Sequence, residues 1–164
     1  LPFADGDDVP VTNITWNEAK AFCDWLSKKE GAKYRLPTEA EWEKAAKGGN
    51  NQVYSSGDEY KGRINVSSKA PVPYDTYDPN GYGLYNMSGN VWEYCLDWVG
   101  IYSSKSRNDP LNDSPGKYKL KIMRGGSFAA GRPETTSTTF FREVTPIDKP
   151  FPDRGFRCVR EVEK

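Results

Sequence analysis

After residue 50 the helical pattern of the sequence ends, and segments rich in turn-forming residues follow. The stretch NGYGLYNMSGNVWEYCLDW, residues 80–98, contains three glycines, three asparagines and five aromatic residues. Glycine and asparagine favour turns, whereas large aromatic rings favour burial. Long loops inside a compact domain are usually functional or held by interactions other than regular backbone pairing. We therefore expect few regular elements, much ordered loop and a core built around large rings.

Two helices are predicted before residue 50, and each begins with a capping box. Thr15 is followed by Glu18 and Thr38 by Glu41, which is the spacing that satisfies the first backbone amides of a helix. A glycine follows each segment and favours its end. Apolar residues at helical spacing are expected to face the core, namely Ala19, Phe22, Cys23, Leu26, Trp42, Ala45 and Ala46. Later apolar runs predict strands at Lys121–Met123 and Gly155–Val159.

Composition excludes several classes of function. Lys and Arg number 23 and Asp and Glu also number 23, so no charge excess indicates nucleic acid or an anionic membrane as a partner. No apolar run approaches the roughly 20 residues of a membrane span. The absence of histidine excludes Ser-His-Asp catalysis and histidine-ligated metals. Three cysteines are too few for a four-thiolate zinc site.

Five sequence blocks occur in order, from ITWNEAKAFCDWLS and YRLPTEAEWEKAAKGG through DPNGYGLYNMSGNVWEYCLDW to MRGGSF and RGFRCVR. Together they resemble the signature blocks of the formylglycine-generating enzyme, or sulfatase-modifying factor, family from about Val9 to Arg160. The resemblance implies an α+β fold, a variant of the C-type lectin fold with two early helices, short strands and much ordered loop. It also implies a single domain over residues 1–164. The family's N-terminal strand region is absent, so we expect an N-terminal truncation.

The resemblance implies a structural calcium site in YNMSGNVWE. Its ligands would be the side-chain oxygen of Asn86, the carbonyls of Gly89 and Val91, and the carboxylate of Glu93. Oxygen donors in a flexible shell suit calcium. A plain turn in which asparagine side chains cap the backbone is the alternative. The nearby rings are expected to be core anchors, namely Tyr82, Tyr85, Trp92 and Trp98.

The resemblance also implies how the cysteines are used. Cys23 and Cys158 occupy positions that are disulfide-bonded in exported family members, while Cys95 has no partner. Three buried free thiols, as in a reducing compartment, are the alternative. With the disulfide, the domain would be extracytoplasmic, that is periplasmic, at the cell surface or secreted.

The catalytic cysteines of the family are replaced in this chain. Competent relatives carry two cysteines five residues apart after GGS, which bind copper(I) and convert a substrate cysteine to formylglycine. This chain has Ala130 and Thr135 at those positions. Neither side chain offers the soft sulfur ligand that copper(I) selects. We therefore expect no copper, no formylglycine generation and no catalytic residue of this kind.

Arginine is concentrated in the last part of the sequence, where six of the nine arginines lie between residues 124 and 160. Their guanidinium groups suit carboxylate or phosphate recognition, and equally suit internal pairing with backbone carbonyls or acids. We favour internal pairing for Arg124 and Arg157 and leave both readings open for Arg132 and Arg142. The candidate ligand-binding residues are Phe128, Arg132, Thr135, Phe140 and Arg142.

The sequence thus predicts a non-catalytic binding or scaffold domain that presents loops 124–157 to a protein, peptide or glycan partner. One special form is a ligand-binding protein diversified by a retroelement, since such proteins use the same fold. The alternative is an enzyme of unrecognised chemistry. Its acid–base groups would be Glu134, Glu143 and Asp153, aided by Arg132 and Tyr82.

Overall fold

A computed structural model describes residues 6–101 and 108–162. Two early helices, short strands and extensive ordered loop are present as predicted, and no helix in the described ranges is long and apolar enough to cross a membrane. The helices are α1 (Trp16–Glu30), α2 (Glu39–Lys47) and the single turn α3 (Pro133–Thr136). The strands are β1 (Tyr34–Arg35), β2 (Trp92–Trp98), β3 (Leu120–Arg124), β4 (Arg142–Pro146), β5 (Arg154–Gly155) and β6 (Val159–Arg160).

Both predicted capping boxes form. The Glu18 backbone amide donates to Thr15 Oγ1 at 3.1 Å, and the Thr15 amide donates to Glu18 Oε2 at 2.7 Å. Thr38 and Glu41 make the same reciprocal pair at the start of α2. Each helix ends at a glycine in the left-handed region, where a side chain would be strained. The two helices are therefore specified by local sequence.

The main sheet has the strand order β4–β3–β2–β5 and lies between α1 and α2. Because successive side chains of a strand point to opposite faces, neighbours on β2 enter different clusters. Tyr94 packs with Trp16 of α1, whereas Cys95 packs with Trp42 of α2. The core is thus two hydrophobic clusters that share one sheet.

The segment predicted as one strand at Gly155–Val159 is two strands in two sheets. β5 pairs in parallel with β2, whereas β6 pairs antiparallel with β1 in a separate two-stranded sheet. Residues 156–158 cross between them. The apolar run was read correctly as extended chain, but the change of sheet depends on partners distant in sequence and cannot be recognised locally.

Two aromatic residues expected in the core are at the surface. Phe22 is 43% exposed because it lies at the edge of α1, where it stacks on Trp25 and Phe156 with ring centroids 5.4 and 5.5 Å away. Tyr82 is 54% exposed and covers Gly49, just beyond the end of α2. Trp92, by contrast, is buried as predicted.

Asparagine side chains hold the long loops in place. Asn80 Nδ2 donates to the carbonyls of Ala45 and Ala46, which closes the end of α2. Beside it, a Cβ on Gly81 would lie 2.2 Å from the carbonyl oxygen of Gly48, so only glycine fits this close approach. Asn90 fixes another loop, because its carboxamide pairs with both the amide and the carbonyl of Val72. These bonds replace the regular ladders that the loops lack.

Lys121 is a buried cation between two indole rings. It is 3% exposed, its ammonium group lies 4.2 Å from the centroid of Trp16 and 3.9 Å from that of Trp98, and it donates to the Leu96 carbonyl at 2.5 Å. Burial lowers the pKa of Lys121 to about 8, although the charge of Asp97 opposes the shift. The rings favour the charged form as well.

This depressed pKa predicts that stability increases with pH above about 8. In that range the unfolded chain binds the Lys121 proton and the folded chain has released it, so raising the pH favours folding. The full shift corresponds to about 3 kcal/mol by pH 10.5. Urea unfolding of the parent and of Lys121→Met at pH 7 to 10 measures how the free energy of unfolding of each protein changes with pH. The increase should be absent in the variant, and an identical pH dependence in both proteins would contradict the prediction.

Candidate functional site

An open cleft of 1230 Å³ lies beside α2. One face of the helix forms a wall, and the opposite wall comes from residues 110–113 together with Phe140 and Arg142 at the start of β4. Residues 49–51 and Tyr82 close one end. The asparagine-capped end of α2 and the main sheet therefore position the cleft.

The rim of the cleft carries exposed apolar side chains. Tyr82, Leu111 and Phe140 are 54%, 43% and 57% exposed, although isolated surface residues of this size are common. Their grouping around one concave surface is the informative feature, because clustered exposed apolar residues mark interaction sites. Lys44 and Lys47 of α2 and Asp113 opposite place charges of both signs at the same rim.

Beneath the cleft, Arg124 of β3 is completely buried and held by α2. Its guanidinium group donates to Glu43 and to the Phe141 carbonyl, and its Nε atom lies 3.6 Å from Glu39 Oε1. Burial opposes ionisation of Glu43, but Lys47 and Arg124 outweigh it and lower the pKa of that carboxyl. The floor therefore contains paired charges, and its two cations keep Glu43 ionised.

Arg142 joins this network from the side of the cleft. It donates to Glu39 Oε2 at 2.7 Å and to the Gly100 carbonyl at 3.0 Å, while its side chain remains 24% exposed. Asp97 completes the floor by accepting from the backbone amides of Glu39 and Asn112. Arg142 thus combines an internal pairing role with a position on the cleft wall.

The predicted ligand-binding residues fall into three places. Phe140 and Arg142 line the cleft. Arg132 and Thr135 are exposed at α3, where Arg132 precedes the first residue of the helix. Phe128 is only 4% exposed, and its backbone bonds to Asn90 and Ser68, so it is a core residue. A ligand could reach this ring only if the surrounding loops moved, and its role in binding stays a prediction.

The two positions of the missing cysteine pair lie on either side of a turn. Ala130 donates its backbone amide to Ser127 O and is half-buried, and Thr135 is exposed on α3. The three cysteines are elsewhere in the fold. Cys95 is buried in β2, where burial raises the pKa of its thiol, and the other two thiols face each other between α1 and residue 158.

The predicted calcium ligands surround a turn in which Asn86 and Gly89 have positive φ values of 53° and 77°. Glu93 is largely committed to protein partners. Its Oε2 accepts from Trp42 Nε1 at 2.7 Å and from Arg157 Nε at 2.6 Å, and its Oε1 accepts from Arg157 Nη2 at 2.6 Å. A carboxylate offers about four acceptor positions, so one remains. The residues therefore fit calcium only as a partial shell, with one bond from Glu93.

Cys23 and Cys158 lie side by side, with their sulfur atoms 3.5 Å apart and not bonded. Their thiols share a hydrogen bond, which together with burial raises the pKa of Cys23. The same hydrogen bond lowers the pKa of Cys158, although burial of that half-buried thiol opposes the shift. Cys158 is thus the sulfur that ionises first, and the thiolate is the nucleophile in disulfide formation. The disulfide itself stays a prediction.

A family model described as the sulfatase-modifying factor enzyme 1-like domain matches residues 2–162. The chain belongs to this family. The formylglycine-generating enzyme of Streptomyces coelicolor is 34% identical over 175 residues, which cover 94% of this chain and 53% of that protein. The inactive C-alpha-formylglycine-generating enzyme 2 of Bos taurus is 31% identical over 170 residues, covering 92% of this chain and 50% of that protein. The chain spans about half the length of these relatives.

Solved structures of similar fold support the same assignment. PvdO from Pseudomonas aeruginosa superposes with a TM-score of 0.84 and 26% identity, covering 98% of this chain and 65% of that one. Treponema denticola variable protein 1 superposes with a TM-score of 0.80 and 28% identity, covering 95% and 73%. The sulfatase-modifying factor fold predicted from the sequence blocks is therefore confirmed.

Sequence reasoning missed the acidic floor of the cleft. Glu39 and Glu43 are one helical turn apart on α2, a spacing that places both on one face. That signal was present, but the spacing alone does not distinguish a partly buried acidic pair from an ordinary solvated helix face. Their role depends on Arg124 and Arg142, which come from distant strands.

Proposed function

We propose that this sulfatase-modifying factor domain is a non-catalytic binding module whose cleft beside α2 holds an extended peptide of a protein partner. The observation that carries the proposal is the combination of a retained scaffold with Ala130 and Thr135 in place of the cysteine pair. Similarity to both an enzyme and a relative named inactive is compatible with loss of chemistry in one branch.

The cleft suits a peptide better than a small molecule. Its 1230 Å³ exceeds the roughly 300–1,000 Å³ of ordinary small-molecule pockets. Exposed apolar side chains alternate at its rim with charges of both signs, which matches the mixed chemistry of a peptide. Phe140 and Arg142 bring the segment 124–157 into this surface, as the sequence predicts.

The test combines binding and turnover in one assay. The protein is incubated with copper(I), oxygen and a peptide that carries a Cys-x-Pro-x-Arg motif, and both the mass of the peptide and its affinity are measured. We expect binding without oxidation. Phe140→Ala should weaken binding by about 10-fold or more, because large aromatic side chains carry much of the binding energy of an interface, whereas Phe22→Ala, on α1, should not. Oxidation of the peptide would overturn the non-catalytic proposal. An unchanged affinity in Phe140→Ala would overturn the assignment of the peptide to this cleft.

Two alternatives have weaker support. An enzyme of other chemistry would need its acid–base groups together, but of the proposed set only Tyr82 lines the cleft, while Asp153 accepts from Ser127 at 2.9 Å elsewhere. A retroelement-diversified binder is supported by the similar fold of a protein named variable protein 1. Such a binder would also be non-catalytic. It differs from the main proposal in that the residues of its ligand-binding surface would be varied by the retroelement.

We also propose that calcium binds the turn at Asn86 when the domain is outside the cytoplasm. Millimolar calcium should then raise the thermal midpoint, with a gain of about 1–3 kcal/mol when the ion is in large excess over its dissociation constant. Asn86→Gly keeps the positive φ and removes the side-chain oxygen, so it should abolish the gain. Equal midpoints of the parent with and without calcium would refute the site.

A further inference from the structure

A second cleft, of 550 Å³, lies between residues 50–63 and residues 76–81. Hydrogen-bonding side chains make up most of its wall, including Gln52, Ser56, Arg63, Tyr77 and Asp78. Small-molecule pockets are usually lined by apolar residues. Ordered water forms hydrogen bonds to a polar wall of this kind. A ligand therefore gains affinity by displacing that water only if it makes equivalent hydrogen bonds to the wall.

Both walls of this cleft are fixed by their own hydrogen bonds. On one side Tyr54 and Gly57 exchange backbone bonds of 2.9 and 3.1 Å, and Ser55 N donates to Ser88 Oγ at 3.0 Å. On the other side Asn80 is anchored through its amide to Leu84 O and through its side chain to α2. A preformed cleft loses little conformational entropy when a ligand binds.

Several side chains that line the cleft have hydrogen-bonding atoms that are not used within the protein. In the part of the chain that the structure describes, the side chains of Gln52, Tyr77 and Asp78 make no hydrogen bond to protein. Arg63 donates to the Ser56 carbonyl through Nη1, which leaves other guanidinium donors available. With one Arg and one Asp the wall carries no net charge. The wall therefore presents hydrogen-bond donors, acceptors and one aromatic ring, and its formal charge is zero.

We propose that this cleft binds a neutral sugar ring, either free or at the end of a glycan. Each sugar hydroxyl both donates and accepts, so Gln52, Arg63 and Asp78 can all be satisfied by one ring. Tyr77, which lines the cleft, supplies an aromatic ring for the apolar contact that the C–H face of a sugar needs. The neutral balance disfavours polyanions, and the polar wall disfavours lipids. The site shares only Asn50 with the lining of the peptide cleft beside α2.

A chemical-shift titration tests the site with methyl α-mannopyranoside, methyl β-galactopyranoside and methyl β-glucopyranoside as probes. At least one glycoside should shift the backbone amides of residues 52–56 and 76–81. Asp78→Ala and Gln52→Ala should each weaken that response by about 10-fold or more, whereas Asp75→Ala, an exposed acid outside the cleft wall, should leave it unchanged. An oligosaccharide that ends in the responding sugar then distinguishes a glycan end, if it binds more tightly, from the free sugar.

Three outcomes would overturn the proposal. The first is no shift with any glycoside at tens of millimolar. The second is shifts that map outside the two loops. The third is a response to inorganic phosphate alone, which would make Arg63 the centre of an anion site. None of these outcomes bears on the peptide experiment, because that experiment depends on Phe140 in the other cleft.

Discussion

Arg157→Ala should destabilise the domain by about 3 kcal/mol, because it leaves the buried carboxylate of Glu93 without its cation. The Glu93 side chain is 7% exposed and receives two bonds of 2.6 Å from Arg157. Burial disfavours the charged guanidinium, but Glu93 outweighs burial and raises the pKa of Arg157. We place the loss at the lower end for a buried pair because the Arg157 side chain is 28% exposed. The thermal midpoint should fall by roughly 6–12 °C.

Two further variants make this prediction specific. Lys20→Ala removes an ion pair of similar length, 2.7 Å, but its side chains are 50% and 57% exposed, so a loss of less than about 0.5 kcal/mol is expected. The double variant Arg157→Met with Glu93→Gln removes both charges and should recover part of the loss. Equal effects of Arg157→Ala and Lys20→Ala in urea unfolding would show that Glu93 does not depend on the pair.

Oxidation of Cys23 and Cys158 should produce the other large change in stability. The two residues are 135 positions apart, and their sulfur atoms already lie 3.5 Å from each other. Closing a loop of this length would stabilise the fold by about 4–5 kcal/mol in the chain-entropy model, with less expected in practice. Urea unfolding of oxidised and reduced protein measures the difference, which should vanish in Cys158→Ser.

Thiol counting provides the chemical control for this prediction. Under denaturant, the oxidised protein should show one free thiol, that of Cys95, and the reduced protein all three. Three free thiols without reductant would refute the disulfide and, with it, the main argument for an extracytoplasmic location.

The parts of the fold that the sequence predicts are those determined by neighbouring residues. Both early helices follow from capping boxes and following glycines, which act within one turn. β2 was not recognised because its first four residues are all buried, so it lacks the alternation that marks a half-exposed strand. β4 was missed for a different reason. Its sequence is of mixed polarity and gives no clear strand pattern, and the strand is supported mainly by its pairing with β3.

The candidate sites were less accessible to sequence reasoning than the fold. Internal pairing of Arg157 and the proximity of the two cysteines followed from the family blocks, whereas the choice of Glu93 as the partner of Arg157 did not. The cleft beside α2 did not, because its lining comes from five separate segments that no single motif contains. Phe128 shows the same limitation, since its burial at 4% exposure depends on segments distant in sequence, including Asn90, whose carbonyl accepts from the Phe128 amide, and Ser68, whose amide donates to the Phe128 carbonyl.

The way late residues of the chain complete the environment of α1 has a consequence for biosynthesis. Asn13 and Asn17 bond to the carbonyls of Phe151 and Ile147, and Glu161 N bonds to Lys33 O. During translation α1 can form early, because its caps are local, but part of its docking surface, namely Ile147, Phe156 and Cys158, is synthesised much later. A ribosome-bound chain that stops before residue 147 would therefore expose the apolar face of α1 to chaperones and proteases. Native structure in this domain should appear only after release of the segment that contains β5 and β6.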